Sequence, residues 1–317
     1  PDLFQRNRIM NIVFMGNPMI ANPILIGLHE SKHQILGVVS NAPKPMGRGR
    51  TLKHTDVGEL ASELKLNYIP AESLNDASFR IKLKALNPDL FVVVAFRILP
   101  KEILEIPTMG SVNIHTSLLP AYRGAAPIQH ALLNGDKETG ITTFLIEPKV
   151  DTGAIILQDK IKISDEDNCG SLTIKMAKKG AKLILKTLNL LENGEVEPKL
   201  QDNDLATVAP KISKEMCKID WSDYMENIHN KVRALSPSPG AFTILMGKRL
   251  KIFQTILINQ KSAFLPGHIS LLEKNKMAIS CFDGQLELME VHLEGKRKMD
   301  MADCLRGFHV TLGDPMG

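Results

Sequence analysis

Asn113 and His115 stand one residue apart in the run Asn113-Ile114-His115-Thr116-Ser117-Leu118-Leu119-Pro120, and an acidic residue, Asp151, heads the triplet Asp151-Thr152-Gly153 further along the chain. An amide, an imidazole and a carboxylate are groups with which a protein can polarise a carbonyl, hold the oxyanion formed when a nucleophile attacks it, and move a proton. Alternate side chains of a β-strand share a face, so Asn113 and His115 project together from a strand end while Ile114 turns into the core. A carboxylate arriving on another loop would orient the imidazole or relay a proton.

Each element alone is weak. A histidine at the end of a buried strand is more often structural than catalytic, and Asp-Thr-Gly reads as a turn with Gly153 left-handed. Aspartic proteases use the same triplet, but they need two such carboxylates in an all-β frame, and this chain has one copy in an α/β pattern. Gly16 has no Gly-x-Gly-x-x-Gly around it and no Gly-x-x-x-x-Gly-Lys-Ser/Thr occurs, so neither NAD nor ATP binding is supported.

The elements that must position these groups read as an α/β sheet. Apolar runs at Ile9 to Met15, Gln34 to Val39, Asp89 to Ala95, Val112 to His115 and Ile141 to Ile146 alternate with amphipathic stretches at Thr55 to Lys65 and Asp76 to Leu86. This alternation predicts a mostly parallel sheet covered by helices, with ligands beyond the carboxyl ends of its strands. Asn17-Pro18 reads as the N-cap and first-turn proline of a helix to about Glu30, and a long helix is expected over Ser171 to Leu191. The polar stretch Glu195 to Thr207, with Pro198, reads as a linker belonging to neither core. Beyond it, a helix over Ser222 to Ala234 is followed by short alternating runs, and Asp283-Gly284 between two of them reads as a hairpin turn. These runs predict a small β-barrel, for which the oligonucleotide-binding (OB) fold is the obvious candidate. The expected division is therefore residues 1–194, a linker at 195–207, and 208–317.

Composition narrows the class. The 317 residues suffice for two ordinary domains. No apolar run approaches the roughly 20 residues of a membrane span, and the first residues lack the pattern of a secretory leader. The four cysteines form no Cys-x-x-Cys, which argues against a metal site or disulfide framework and fits a reducing cytoplasm. The net charge is +4, and residues 209–317 carry 15 Lys and Arg against 12 Asp and Glu, a balance that permits a nucleic-acid partner without demanding one. The loop from Asn41 to Lys53 holds Lys44, Arg48, Arg50 and Lys53 and no acid. By default such a run is a solvated face.

Taken in order, Asn113-x-His115, Ser117-Leu118-Leu119-Pro120, Tyr122-Arg123-Gly124-Ala125-Ala126-Pro127-Ile128-Gln129 and Asp151-Thr152-Gly153 resemble the signature of the folate-dependent formyltransferases, most closely the branch acting on methionyl-tRNA. Phe14-Met15-Gly16-Asn17-Pro18, Gly47-Arg48-Gly49-Arg50, Ile98-Leu99-Pro100, Ile219-Asp220-Trp221 and Gly295-Lys296-Arg297-Lys298-Met299 extend the likeness over nearly the whole chain. The resemblance implies a Rossmann-like catalytic domain, an OB-like tRNA-binding domain, and transfer of a formyl group from 10-formyltetrahydrofolate to the α-amino group of initiator methionyl-tRNA. Asn113 and His115 would hold the oxyanion, with Asp151 keeping His115 protonated and relaying the amine proton. Phe96, Ile98, Ser117, Leu118, Leu119, Pro120 and Val150 would line the folate site, although the family usually carries an extra glycine after the aromatic in the run Val94 to Pro100. Arg48, Arg50, Lys44 and Lys53 would clamp the acceptor stem, and Lys248, Arg249, Lys296, Arg297 and Lys298 would extend the electrostatic path. A monomer without metal or membrane attachment is expected. The rival readings are a glycinamide-ribonucleotide formyltransferase, for which the chain is about 110 residues too long, a sugar-nucleotide N-formyltransferase, and a non-catalytic tRNA-binding protein.

Overall fold

A computed structural model describes residues 8–46 and 51–317. By contacts the chain forms two units, Pro1–Gly124 with Glu138–Lys162 and Thr173–Val208, and Ala125–Lys137 with Ile163–Leu172 and Ala209–Gly317.

The strands of the first unit are β1 (Asn11–Gly16), β2 (Gln34–Asn41), β3 (Lys44–Met46), β4 (Thr51–Lys53), β5 (Tyr68–Ala71), β6 (Leu90–Val94), β7 (Ser111–His115), the two-residue β8 (Arg123–Gly124), β9 (Glu138–Leu145) and β10 (Ile155–Lys162). Seven make one sheet in the order β10-β9-β7-β6-β1-β2-β5. The pairs from β5 through β7 are parallel, while β9 and β10 add antiparallel at one edge. Central strands covered on both faces need continuous apolar sequence, and β6, Leu-Phe-Val-Val-Val, is buried throughout. The mostly parallel α/β sheet expected from the sequence is the one found.

Helices α1 (Asn22–His29), α2 (Asp56–Glu63), α3 (Ala77–Ala85) and the short α4 (Lys101–Leu104) join the strands. Thr55 and Asp76 cap α2 and α3 by accepting the Gly58 and Ser78 amides. Asn17 is not the cap of the first helix. Its side-chain oxygen accepts the Ser40 hydroxyl at 3.0 Å and the Asn41 amide at 2.9 Å, tying the first turn to β2, and α1 starts after a 3-10 turn with Pro23 in its first turn.

Helix α5 (Pro127–Leu133) belongs by contacts to the second unit, and the long α6 (Cys169–Asn193) follows β10. On α6, Gly180 lies against Ile24 and Ile114, and Thr187 bonds Thr143 of β9 at 2.8 Å. Ile114 is thereby fixed on the helix-covered face, leaving Asn113 and His115 on the other. The stretch 195–207, expected to belong to neither core, makes its bonds to the first unit: Lys199 bridges Ile155, and Thr207 accepts the Tyr122 amide at 2.8 Å through its hydroxyl oxygen.

After the two-residue β11 (Val208–Ala209), the second unit contains α7 (Met225–Ala234), β12 (Ala241–Leu245), β13 (Lys248–Ile258), β14 (Ile269–Leu272), β15 (Met277–Ser280), β16 (Gln285–Leu293), β17 (Met299–Asp300) and α8 (Met301–Gly307). Its antiparallel sheet runs β12-β13-β16-β15-β14 with β17 on β16. Met316 bridges Leu245 of β12 and Pro315 bridges His268 beside β14, so one segment occupies both edges. Helix α5 packs on α7, where Gly135 leaves room for Asn230, whose Nδ2 would stand 2.9 Å from a Cβ. The β15–β16 reversal closes one residue earlier than expected, the Cys281 amide donating to Gly284 O at 2.8 Å, and Asp283 accepts the Met225 amide at the start of α7.

Candidate active site

His115 ends β7 with its side chain 7 % exposed. Its Nε2 lies 2.8 Å from the Tyr122 carbonyl. A carbonyl only accepts, so Nε2 carries the hydrogen and Nδ1 is the nitrogen left to gain or lose one. Nδ1 faces Asp151 Oδ2 at 3.7 Å. Burial lowers the His115 pKa below 6.5, outweighing the Asp151 carboxylate and the Tyr122 carbonyl, which both act to raise it. Burial thus opposes the expectation that Asp151 keeps His115 protonated and favours the neutral ring, with an open Nδ1 beside a carboxylate.

Asn113 shares this face and is only half-buried. Among the described residues its side-chain amide has no hydrogen-bond partner, which leaves its N–H groups available to a ligand oxygen.

The Asp151 loop is held by close contacts rather than regular structure. Asp151 adopts φ +52°, and Tyr122, whose carbonyl meets His115, φ +62°. Both lie in the left-handed region that costs a side-chain-bearing residue about 1–2 kcal/mol. Gly153, expected to be the left-handed residue, has another reason to be glycine: a Cβ there would stand 1.7 Å from the Leu145 carbonyl oxygen. Asp151 Oδ2 accepts the Gly124 amide at 2.8 Å. Gln201, unmarked by any motif, donates Nε2 to the carbonyls of Asp151 at 2.9 Å and Gly153 at 2.8 Å. A residue that acts through backbone carbonyls leaves no sequence signature.

The other expected site residues fall into two groups. Ser117 and Leu119 are buried, the first bonding Ala121 O and the second giving its amide to Thr142 at 3.1 Å. Leu118 packs onto Gly140 of β9, and Pro120, half-buried, accepts the Thr207 amide. This run is built into the sheet and shapes the loop. Ile98 and Val150 are 70 % and 47 % exposed, and Phe96 is half-buried with the Arg97 guanidinium 5.3 Å from its ring centre. Exposed apolar side chains of this kind suit an aromatic ligand, and Val150 directly precedes Asp151.

Of the expected basic residues, Arg48 and Arg50 lie outside the described residues. Lys44 and Lys53 are exposed and directly opposite one another across the β3–β4 ladder. Like charges in that position repel, and an anion would relieve them. In the second unit Lys248, Arg249 and Lys298 each stand over an aromatic ring, Phe308, Phe242 and Phe253, at 5.5, 4.8 and 4.5 Å. Lys298 is also paired with Glu290 at 2.7 Å, while Lys296 and Arg297 are exposed. No helix among the described residues is long and apolar enough to cross a membrane, and no group of three or more His, Cys, Asp or Glu among them is placed to hold a metal.

Comparison with known families matches residues 10–188 to the formyl transferase model and residues 211–309 to the formyl transferase C-terminal domain model. The chain belongs to the formyl transferase family. The family's relatives include the methionyl-tRNA formyltransferase of Flavobacterium johnsoniae, 40 % identical over 311 residues covering 96 % of this chain and 98 % of that one. That of Thermodesulfovibrio yellowstonii is 41 % identical over 303 residues, covering 95 % and 97 %. Among solved structures, HypX from Aquifex aeolicus in complex with tetrahydrofolic acid aligns with a TM-score of 0.68 at 18 % identity, over 94 % of this chain and 47 % of that one. An N-formyltransferase from Helicobacter canadensis, in complex with folinic acid and dTDP-3-aminofucose, aligns with a TM-score of 0.66 at 22 % identity, over 89 % and 98 %. At these identities the structural likeness shows the fold.

Proposed function

We propose that this chain transfers the formyl group of 10-formyltetrahydrofolate to the α-amino group of methionine esterified to initiator tRNA. The carrying observation is a free Asn113 amide beside a buried His115–Asp151 pair at the carboxyl end of the parallel sheet, in a chain about 40 % identical over nearly its full length to relatives named methionyl-tRNA formyltransferase.

The nucleophile is the substrate amine, whose pKa near ~8 leaves a useful neutral fraction at cellular pH. As it adds to the formyl carbon, negative charge grows on the formyl oxygen and positive charge on the nitrogen. The Asn113 N–H groups answer the first. Neutral His115, with Nδ1 open, takes up the proton shed by the nitrogen, and the imidazolium so formed is stabilised by Asp151 at 3.7 Å. As the oxyanion collapses, the bond from the formyl carbon to the folate nitrogen breaks and that proton passes to the departing nitrogen, releasing tetrahydrofolate and restoring neutral His115. Folate supplies the activated formyl group, and the exposed apolar side chains of Ile98 and Val150 fit its ring system. Ser117, Leu118, Leu119 and Pro120 act by shaping the loop beneath it.

Catalysis is assigned to residues 1–194 and tRNA binding to 208–317, the cations Lys248, Arg249, Lys296, Arg297 and Lys298 meeting phosphates while Lys44, Arg48, Arg50 and Lys53 meet the acceptor stem. The protein is assigned to the cytoplasm and acts as a monomer. Incubation with 10-formyltetrahydrofolate and either methionyl-tRNA or a dTDP-amino sugar tests the assignment. Formylmethionyl-tRNA in the first reaction supports it; formylation of the sugar with none of the tRNA refutes it.

A further inference from the structure

Asp151 must stay within reach of His115 although its loop has no regular structure and a left-handed residue at its head. The side-chain amide of Gln201 is used completely in holding it. Its two N–H groups go to the carbonyls flanking Thr152, those of Asp151 and Gly153. Its oxygen accepts Arg123 Nε at 2.9 Å and Arg123 Nη2 at 2.8 Å. Arg123 in turn gives Nη1 to Asn203 Oδ1 at 3.0 Å, and its backbone amide donates to Thr207 O at 2.8 Å. The residues on either side of Arg123 hold the two ends of the site, Tyr122 offering its carbonyl to His115 and Gly124 its amide to Asp151. One amide thus ties together the two loops that hold the partners of the imidazole.

We infer that Gln201 is a positioning residue for the reaction: clamped by Arg123, it fixes the Asp151 carboxylate against His115 and contributes to turnover through Asp151 alone. The inference rests on the assignment of Asp151 as catalytic. The physical argument is directional. Two hydrogen bonds on the carbonyls of Asp151 and Gly153, with the acceptor end of the same planar amide pinned by a guanidinium fork, remove both translation and rotation of the loop relative to Arg123. A displacement of about 1 Å at a catalytic group can cost on the order of a hundredfold in rate.

The test is a double-variant cycle with Gln201→Met and Asp151→Asn, each measured for kcat and for KM of both substrates, with thermal unfolding of every protein. Gln201→Met keeps the side-chain length, carries no N–H donor and adds no charge. It is expected to lower kcat at least tenfold with both KM values within twofold, and to lower it less than twofold further once Asp151 is already Asn. Gln201→Glu, which retains the Arg123 contact but cannot donate to either carbonyl, gives the same pattern and covers the case in which the Met variant fails to fold. A wild-type kcat in the folded Gln201 variants, or an equal loss in both backgrounds, overturns the inference while leaving the catalytic assignment intact. Wild-type turnover in Asp151→Asn overturns the catalytic assignment itself.

Discussion

Substituting Gly153 by alanine tests how tightly the catalytic loop is seated. The added Cβ would stand 1.7 Å from Leu145 O and 2.9 Å from Leu145 C, and real Cβ atoms essentially never come within 3.0 Å of another heavy atom. Moving from 1.7 to 3.0 Å requires a displacement of 1.3 Å. Leu145 cannot absorb it alone, because its amide is bonded to Ala154 O and its strand lies between β7 and β10. The loop must therefore move, and with it the Gly124–Asp151 bond at 2.8 Å and the His115–Asp151 approach at 3.7 Å. A misplacement of this size lowers kcat by roughly a hundredfold, equivalent to about 2.7 kcal/mol of transition-state stabilisation. The assay is steady-state formyl transfer at saturating tRNA and folate, with thermal unfolding in parallel. Gly194→Ala is the control: its φ of +67° makes alanine strained, but nothing lies within 4 Å of the new Cβ, so it loses about 1–2 kcal/mol of stability and no turnover. A folded Gly153→Ala protein with wild-type kcat would refute the reasoning.

Three further outcomes follow from charge and burial. Because burial holds the His115 pKa below 6.5 and neutral His115 is the form that accepts a proton, the His115 limb of the kcat profile lies below pH 6.5, apart from the limb that the substrate amine sets near ~8; Asp151→Asn, which removes a pKa-raising carboxylate, moves the His115 limb to still lower pH. A pH–rate profile checks both statements. His229, with its pKa depressed to about 4 chiefly by burial, binds a proton more readily unfolded than folded, so stability declines as pH falls from 6.5 toward 4; His229→Gln should flatten that decline in unfolding curves taken across the window. Replacing the exposed Lys296 and Arg297 together by Gln should weaken tRNA binding and reduce the magnitude of the log Kd versus log salt slope by about 1.4–1.8, at about 0.7–0.9 per phosphate contact. An unchanged slope would remove that face from the tRNA path.

What was legible in the sequence follows from which physical effects leave local marks. The central strands were readable because burial on both faces demands unbroken apolar runs, as in β1 and β6. Two strands of the seven-stranded sheet were not. β5 is four residues long with a proline, tolerable because it lies at the sheet edge, and β10 is half-exposed and reads as a mixed run. The shared face of Asn113 and His115 came from strand periodicity, whereas the protonation state of His115 depends on burial, which no local pattern reports. Gly153 was recognisable as a constrained glycine, but its constraint is an approach to Leu145 that only the packed loop reveals. The contacts of α5 with α7 escaped notice because an amphipathic helix declares that it has a buried face and not which partner covers it.

The central claim is that Asn113, His115 and Asp151 form one catalytic unit for formyl transfer to methionyl-tRNA. Single-turnover rates at saturating substrates for Asn113→Ala, His115→Ala, Asp151→Asn and the triple variant test it most directly. The account predicts a fall of roughly a hundredfold or more in each single variant, and a triple variant far less impaired than the product of the three losses, as for residues that act together. Near-wild-type turnover in folded His115→Ala protein, or losses that multiply through the series, would contradict it.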